Sequence, residues 1–145
     1  NQKETVEQYD DEYLEEYDYV FYDFYDIYIG VLLKTSQADE AEKSLDFLVR
    51  TFERVENDYY LDISLYKRAN YYYDNGNLSS AIADLNRAIT INSDYANLSL
   101  LAQYKEEIGD KRGACNEYNK ALKVEGIAEQ TKNTVLKKLK DLDCL

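Results

Sequence analysis

Between Leu65 and Ala121 the apolar positions recur at intervals of three and four, the period of helices buried along one face. Leu65, Ala69 and Tyr72 make one such stripe, and Ala81, Leu85 and Ala88 a second. Leu98, Leu101 and Ala102 make a third, and Ala114, Tyr118 and Ala121 a fourth. Upstream, Ala41, Leu45 and Leu48 read as the same kind of face, with a partner helix expected over about residues 19–35. Downstream, Val135, Leu136, Leu139 and Leu142 predict a further amphipathic helix over 128–141. Val6, Tyr9, Tyr13 and Tyr17 predict a helix over 5–18, which can be continuous with the next. The chain has no Pro, so no position obliges a helix to break.

Two of these stripes are copies of one another. Gly76 to Gly109, Ala81 to Ala114, Leu85 to Tyr118 and Ala88 to Ala121 are each separated by 33 residues. Repetition at such a period is the mark of stacked supersecondary units. Small residues at the Ala positions let two helices approach closely, and the large residue between them fills the gap. Gly76 and Gly109 suit the turn between paired helices, because Gly adopts positive φ cheaply.

The two segments resemble the second half of the tetratricopeptide repeat, with its turn glycine followed by small, large and small positions. Leu65, Ala69 and Tyr72 match the large, small and aromatic pattern of the repeat's first helix. The next unit departs from it, with Lys105 where an aromatic is usual and Tyr104 beside it. The family's terminal Pro is replaced by Ser93 and Gly126. The segment 38–48 resembles a degenerate second helix, with Leu48 in place of the second small residue. Ala41 to Ala81 is 40 residues, which implies a connection longer by about two helical turns. The resemblance covers about residues 19–125.

It implies an all-α, right-handed α-solenoid of antiparallel helix pairs, about seven helices with a C-terminal capping helix. The expected organisation is a single domain over 1–145: an acidic, Tyr-rich N-terminal helix at 1–18, a degenerate repeat at 19–58, repeats at 59–93 and 94–125, and the cap at 127–145.

Charge sharpens this picture. The net charge is −12. Residues 1–40 hold 12 acids and 2 bases, whereas residues 81–145 hold 10 of each. An acidic surface of this kind repels phosphates and anionic lipid and favours a basic partner, though it also serves solubility alone. The most apolar stretch, residues 20–33, contains Asp23 and Asp26 and is too short for a span. No nucleic acid and no membrane insertion is therefore expected. The compartment stays open between a cytoplasmic location and export after processing.

An enzyme is not expected. There is no His to act as a base at neutral pH, no phosphate loop and no nucleophile motif. Neither metal nor cofactor is implied. Cys115 reads as a small buried residue. It lies 11 residues before Gly126, and Cys144 lies 18 after it. A straight antiparallel cap helix would leave the two about 10 Å apart in height. They would then stay unbonded unless the tail folded back.

In the resembled family the first helices of successive units line a concave groove. That stripe here is Ile63, Tyr66, Asn70 and Tyr73 in the middle unit, and Ala96, Ser99, Gln103 and Glu106 in the next. In the degenerate unit it would include Asp23, Asp26 and Gly30. Some family members clamp chaperone carboxylates, but Tyr66 and Leu100 stand where that clamp needs Lys and Asn. The expected function is a non-enzymatic protein–protein interaction module, an adaptor or assembly subunit. Its partner would offer a basic and apolar segment to Tyr66, Asn70 and Tyr73, flanked by Ile63, Asp23, Asp26, Gln103 and Glu106. The alternative is a self-associating subunit that uses the acidic face around Tyr9–Tyr28, where seven of the 16 Tyr lie.

Overall fold

The computed structural model describes the backbone of residues 11–145 and side chains from Glu16 onward. The first part of the helix expected over 5–18 lies outside the described residues. Among those described there are seven helices and no strand: α1 Asp11–Lys34, α2 Ala38–Arg54, α3 Asp58–Asp74, α4 Leu78–Ile91, α5 Tyr95–Glu107, α6 Lys111–Ala121 and α7 Glu129–Asp141. The chain divides into two compact units, one up to Ser64 and one from Leu65 to Leu145, with the boundary inside α3. α1 carries a non-helical residue at Tyr17 (φ −121°, ψ 24°), where the two expected N-terminal helices meet.

One local device ends five of the helices. After α3, the Gly76 amide donates to the Tyr73 carbonyl and the Asn77 amide to the Tyr72 carbonyl, with Gly76 at φ 76°. After α5, Gly109 and Asp110 bond in the same way to Glu106 and Lys105. This 6→1 and 5→2 pairing satisfies carbonyls that a helix end leaves open. Ser36, Glu56 and Asp143 hold the same left-handed position after α1, α2 and α7 without being Gly. After α1, α2, α3 and α5 the next residue then precedes the following helix as its cap. The side chains of Asn57, Asn77 and Asp110 accept from the amides of Tyr60, Ser80 and Gly113. A Cβ on Gly113 would run into the Asp110 carboxylate, so the missing side chain is what admits this cap. Reversal within about two residues makes each pair antiparallel.

The 40-residue spacing does not come from a longer connection. Three residues join α2 to α3, and three join α4 to α5. The seven extra residues lie in the helices, where α2 has 17 against 14 for α4 and α3 has 17 against 13 for α5. Added helix satisfies its own backbone groups, which added loop would not.

In the first unit, Phe21, Tyr25, Ile29 and Leu32 of α1 are buried, as are Leu45, Leu48, Val49 and Phe52 of α2. Phe21 meets Phe52 edge-on at 5.9 Å. In the second, Ala69, Ala81, Leu85, Leu101 and Tyr104 form one cluster, and Ala102, Ala114, Tyr118, Val135 and Leu139 another. Each repeat also buries a polar residue at one matched position. Asp84 accepts two hydrogen bonds of 2.7 Å from Arg68. Thirty-three residues later, Glu117 accepts from Lys105 at 2.9 Å and Lys120 at 3.0 Å. Lys105 thus stands at the family's aromatic position because it neutralises Glu117. Burial pushes the Glu117 carboxyl up, but its hydrogen bonds and attraction to the two lysines outweigh that and hold it below the usual range.

Cys115 and Cys144 form a disulfide, with Cα atoms 5.7 Å apart. α7 ends at Asp141 as expected, and the height derived for a straight helix fails because the chain folds back beyond it. Asp143 turns left-handed at φ 52°, and the Cys144 amide bonds back to the Leu139 carbonyl at 2.8 Å. The reversal carries Cys144 and Leu142 onto the Ala114–Tyr118–Leu139 cluster.

Three stability outcomes are expected, each read from urea unfolding midpoints. Cys144→Ser lowers stability by about 3–4 kcal/mol, given the 29-residue separation the bond closes; a reductant reproduces that loss in the native chain and adds nothing in the mutant. Glu56→Gly raises stability by about 1 kcal/mol by relieving a left-handed non-glycine residue, and Gly76→Ala lowers it by a similar amount. Glu117→Gln costs about 3 kcal/mol at neutral pH, because half-buried Lys105 loses its counter-charge. A lowered carboxyl pKa contributes stability that is full above the unfolded value and lost as pH falls through the folded one. The mutant should therefore lose less stability than the native chain between pH values near 5 and near 2.

Candidate functional site

The second unit contains a cleft of about 430 Å³. Three helices of the second unit and the C-terminal part of α3 build it. Tyr66 comes from α3, and Tyr95, Ala96, Ser99, Leu100 and Gln103 come from α5. Tyr118 comes from α6, and Thr134, Val135 and Lys138 from α7. The cause is local packing. Ala102 on α5 and Ala114 on α6 are fully buried, which lets α5, α6 and α7 gather around Tyr118 and Val135. The next positions around α5 and α7 are left facing the cleft. Tyr118 and Val135 form its buried floor, Tyr66, Tyr95, Ser99 and Leu100 are half-buried, and Ala96, Gln103, Thr134 and Lys138 are exposed.

Its electrostatics centre on Glu106. The Tyr118 hydroxyl donates to Glu106 Oε2 at 3.2 Å, and Lys138 Nζ lies 3.3 Å from both carboxylate oxygens. Burial, then the charge of Glu106 and its hydrogen bond, push the Tyr118 phenol well above its ordinary value, so it remains a donor. The lining is otherwise apolar, aromatic, hydroxyl and amide. Such a lining can hold an apolar side chain and offer hydrogen bonds to a backbone. Among the described residues no group of three or more His, Cys, Asp or Glu is placed to hold a metal ion. No described helix is long and apolar enough to cross a membrane.

The residues singled out from the sequence are placed unequally. Tyr66, Ala96, Ser99 and Gln103 line the cleft. Asn70 and Tyr73 do not. The Asn70 amide donates to the Tyr66 carbonyl at 2.9 Å and accepts from the Tyr104 hydroxyl at 3.3 Å. Tyr73 stacks on Tyr104, centroids 4.5 Å apart and planes 5° apart, and donates to Glu107 at 2.8 Å. That hydrogen bond first, then burial, raises the Tyr73 phenol pKa. Both side chains are engaged within the second unit. Glu106 is half-buried and engaged by Lys138 and Tyr118. Ile63, half-buried on α3, and Asp23 and Asp26 on α1 belong to the first unit and are not part of this lining.

Sequence reasoning missed the wall supplied by α7. Val135 and Leu139 marked the buried face of the cap, so Thr134 and Lys138, each one residue before them, were identifiable as its edge. Nothing in the sequence said that α5 would stand across from that edge.

No protein-family model and no curated protein matches the chain. A solved structure does. The Sgt2 TPR domain from Aspergillus fumigatus is similar to it with a TM-score of 0.60 and 16% sequence identity, over 86% of this chain and 82% of that one. That likeness accords with the 33-residue period, the paired antiparallel helices and the buried Ala–large–Ala stripes: the chain has the tetratricopeptide-repeat fold.

Proposed function

We propose that the chain is a non-catalytic protein-interaction module that holds a short basic and apolar segment of a partner protein in the cleft of its second unit. The observation that carries this reading is the cleft's make-up. A floor of Tyr118 and Val135, with Leu100 and Tyr66 beside it, suits one or two apolar side chains. Gln103 and Ser99 offer an amide and a hydroxyl to an extended backbone. Glu106, bonded to the lining residues Tyr118 and Lys138, takes a Lys or Arg of the segment in competition with Lys138. The volume of about 430 Å³ is sized for a few side chains rather than a whole helix.

The test uses fluorescent heptapeptides with a central Phe or Leu flanked by Lys and Arg, or by Glu. The expected outcome is binding of the basic set. Leu100→Glu should weaken it about tenfold with the far-ultraviolet circular dichroism unchanged. Glu106→Gln should weaken the basic peptides several-fold and leave uncharged ones unaffected. Equal binding of basic and acidic sets, or binding indifferent to Leu100→Glu, would remove the cleft from the account.

A further inference from the structure

α1 presents a second surface, remote in character from the cleft. Val20, Phe24, Ile27 and Val31 are exposed and fall at spacings of four, three and four. This is the spacing that keeps a stripe on one side of a helix and lets it seat along another helix. Tyr28 borders the stripe on one edge and stacks on Phe24 at 6.2 Å. Asp23 is exposed on the other edge, one helical turn from both Val20 and Ile27.

Comparison with the other first helices shows how this face differs from theirs. The turns at Ser36, Gly76 and Gly109 set the alignment, so Phe24 corresponds to Ser64 of α3 and Asn97 of α5. Val31 corresponds to Tyr71 and Tyr104. Ser64 is 0% exposed, Asn97 2%, Tyr71 7% and Tyr104 1%; Phe24 is 61% exposed and Val31 52%. The positions of Phe24 and Val31 are thus covered in α3 and α5 and open in α1, whereas the counterparts of Ile27, Lys67 and Leu100, are half-buried. The residue type has changed as well. Ser64 is small and its buried hydroxyl has no hydrogen-bond partner, so size is what that position uses. At the same position α1 carries Phe, a large anchor.

Charge selects the occupant. α1 contains seven acids and one base over Asp11–Lys34. A second copy would bring the same excess against it, and like charges along a helix pair oppose association. A helix with Lys or Arg beside its apolar stripe is attracted. We infer that the outer face of α1 docks an amphipathic helix of a partner protein, its apolar stripe on Val20, Phe24, Ile27 and Val31 and its basic edge on Asp23. The site is separate from the cleft and does not depend on the function proposed for it.

The experiment measures binding of two stapled helical peptides by fluorescence anisotropy, with sedimentation of the chain alone alongside. Both peptides carry Leu at helical a and d spacing; one has Lys flanks and the other Glu flanks. The Lys-flanked peptide should bind, more weakly as salt rises. Phe24→Ser and Ile27→Ser, both at exposed positions, should each cost about tenfold. Asp23→Lys should reverse the preference between the peptides, a response that general loss of folding cannot give. Leu100→Glu should leave this binding unchanged, which separates the outcome from that of the cleft. Equal binding of the two peptides, or no binding of either, would overturn the inference. So would a concentration-dependent mass of the native chain that Phe24→Ser abolishes, because the face would then belong to a second copy.

Discussion

Ala69, Ala81, Ala88, Ala102, Ala114 and Ala121 are all fully buried, and they stand on the faces along which neighbouring helices meet. Without a side chain beyond Cβ, the backbones come close enough for Leu85 and Tyr118 to fill what remains. The pairing of α3 with α4, of α5 with α6, and the seating of α7 all depend on this closeness. So does the cleft. A bulkier residue at Ala102 or Ala114 would hold the three helices apart and open the Tyr118 floor to water.

Close approach also explains the polar residues in the interior. Asp84 and Glu117 occupy one matched position, and their counter-charges come from first-helix positions one turn apart, Arg68 and Lys105. Buried acids of this kind are costly unless paired and fully hydrogen-bonded. Asp84 receives a bidentate guanidinium and Glu117 two ammonium groups. In the first unit the same position is Ser44, whose hydroxyl bonds the Glu40 carbonyl. The three solutions differ chemically, yet each satisfies a polar group at a helix contact.

A helix pair has more than one face to cover, and the structure handles its open faces differently. α7 and its reversed tail close over α6, fastened by the Cys115–Cys144 bond. α1 leaves Val20, Phe24, Ile27 and Val31 exposed beside acids.

The sequence alone determined what depends on neighbours close along the chain. Helix phase follows from spacings of three and four, and the turns after α3 and α5 follow from Gly76 and Gly109. The repeat follows from matched residues 33 apart. Less local features were legible only in part. Glu56 and Ser36 end helices in the left-handed conformation without the glycine that would have announced it. Helix phase tells which way a side chain points but not what meets it. Asn70 and Tyr73 therefore pointed toward the expected groove, and the tertiary structure gave them to Tyr104 and Glu107 instead. The wall of α7, the pairing of Glu106 with Lys138 and the disulfide were likewise decided in three dimensions. Each joins residues about 30 apart across a helix reversal, and a small change in where a helix stops, as at Asp141, moves such residues by more than the length of a bond.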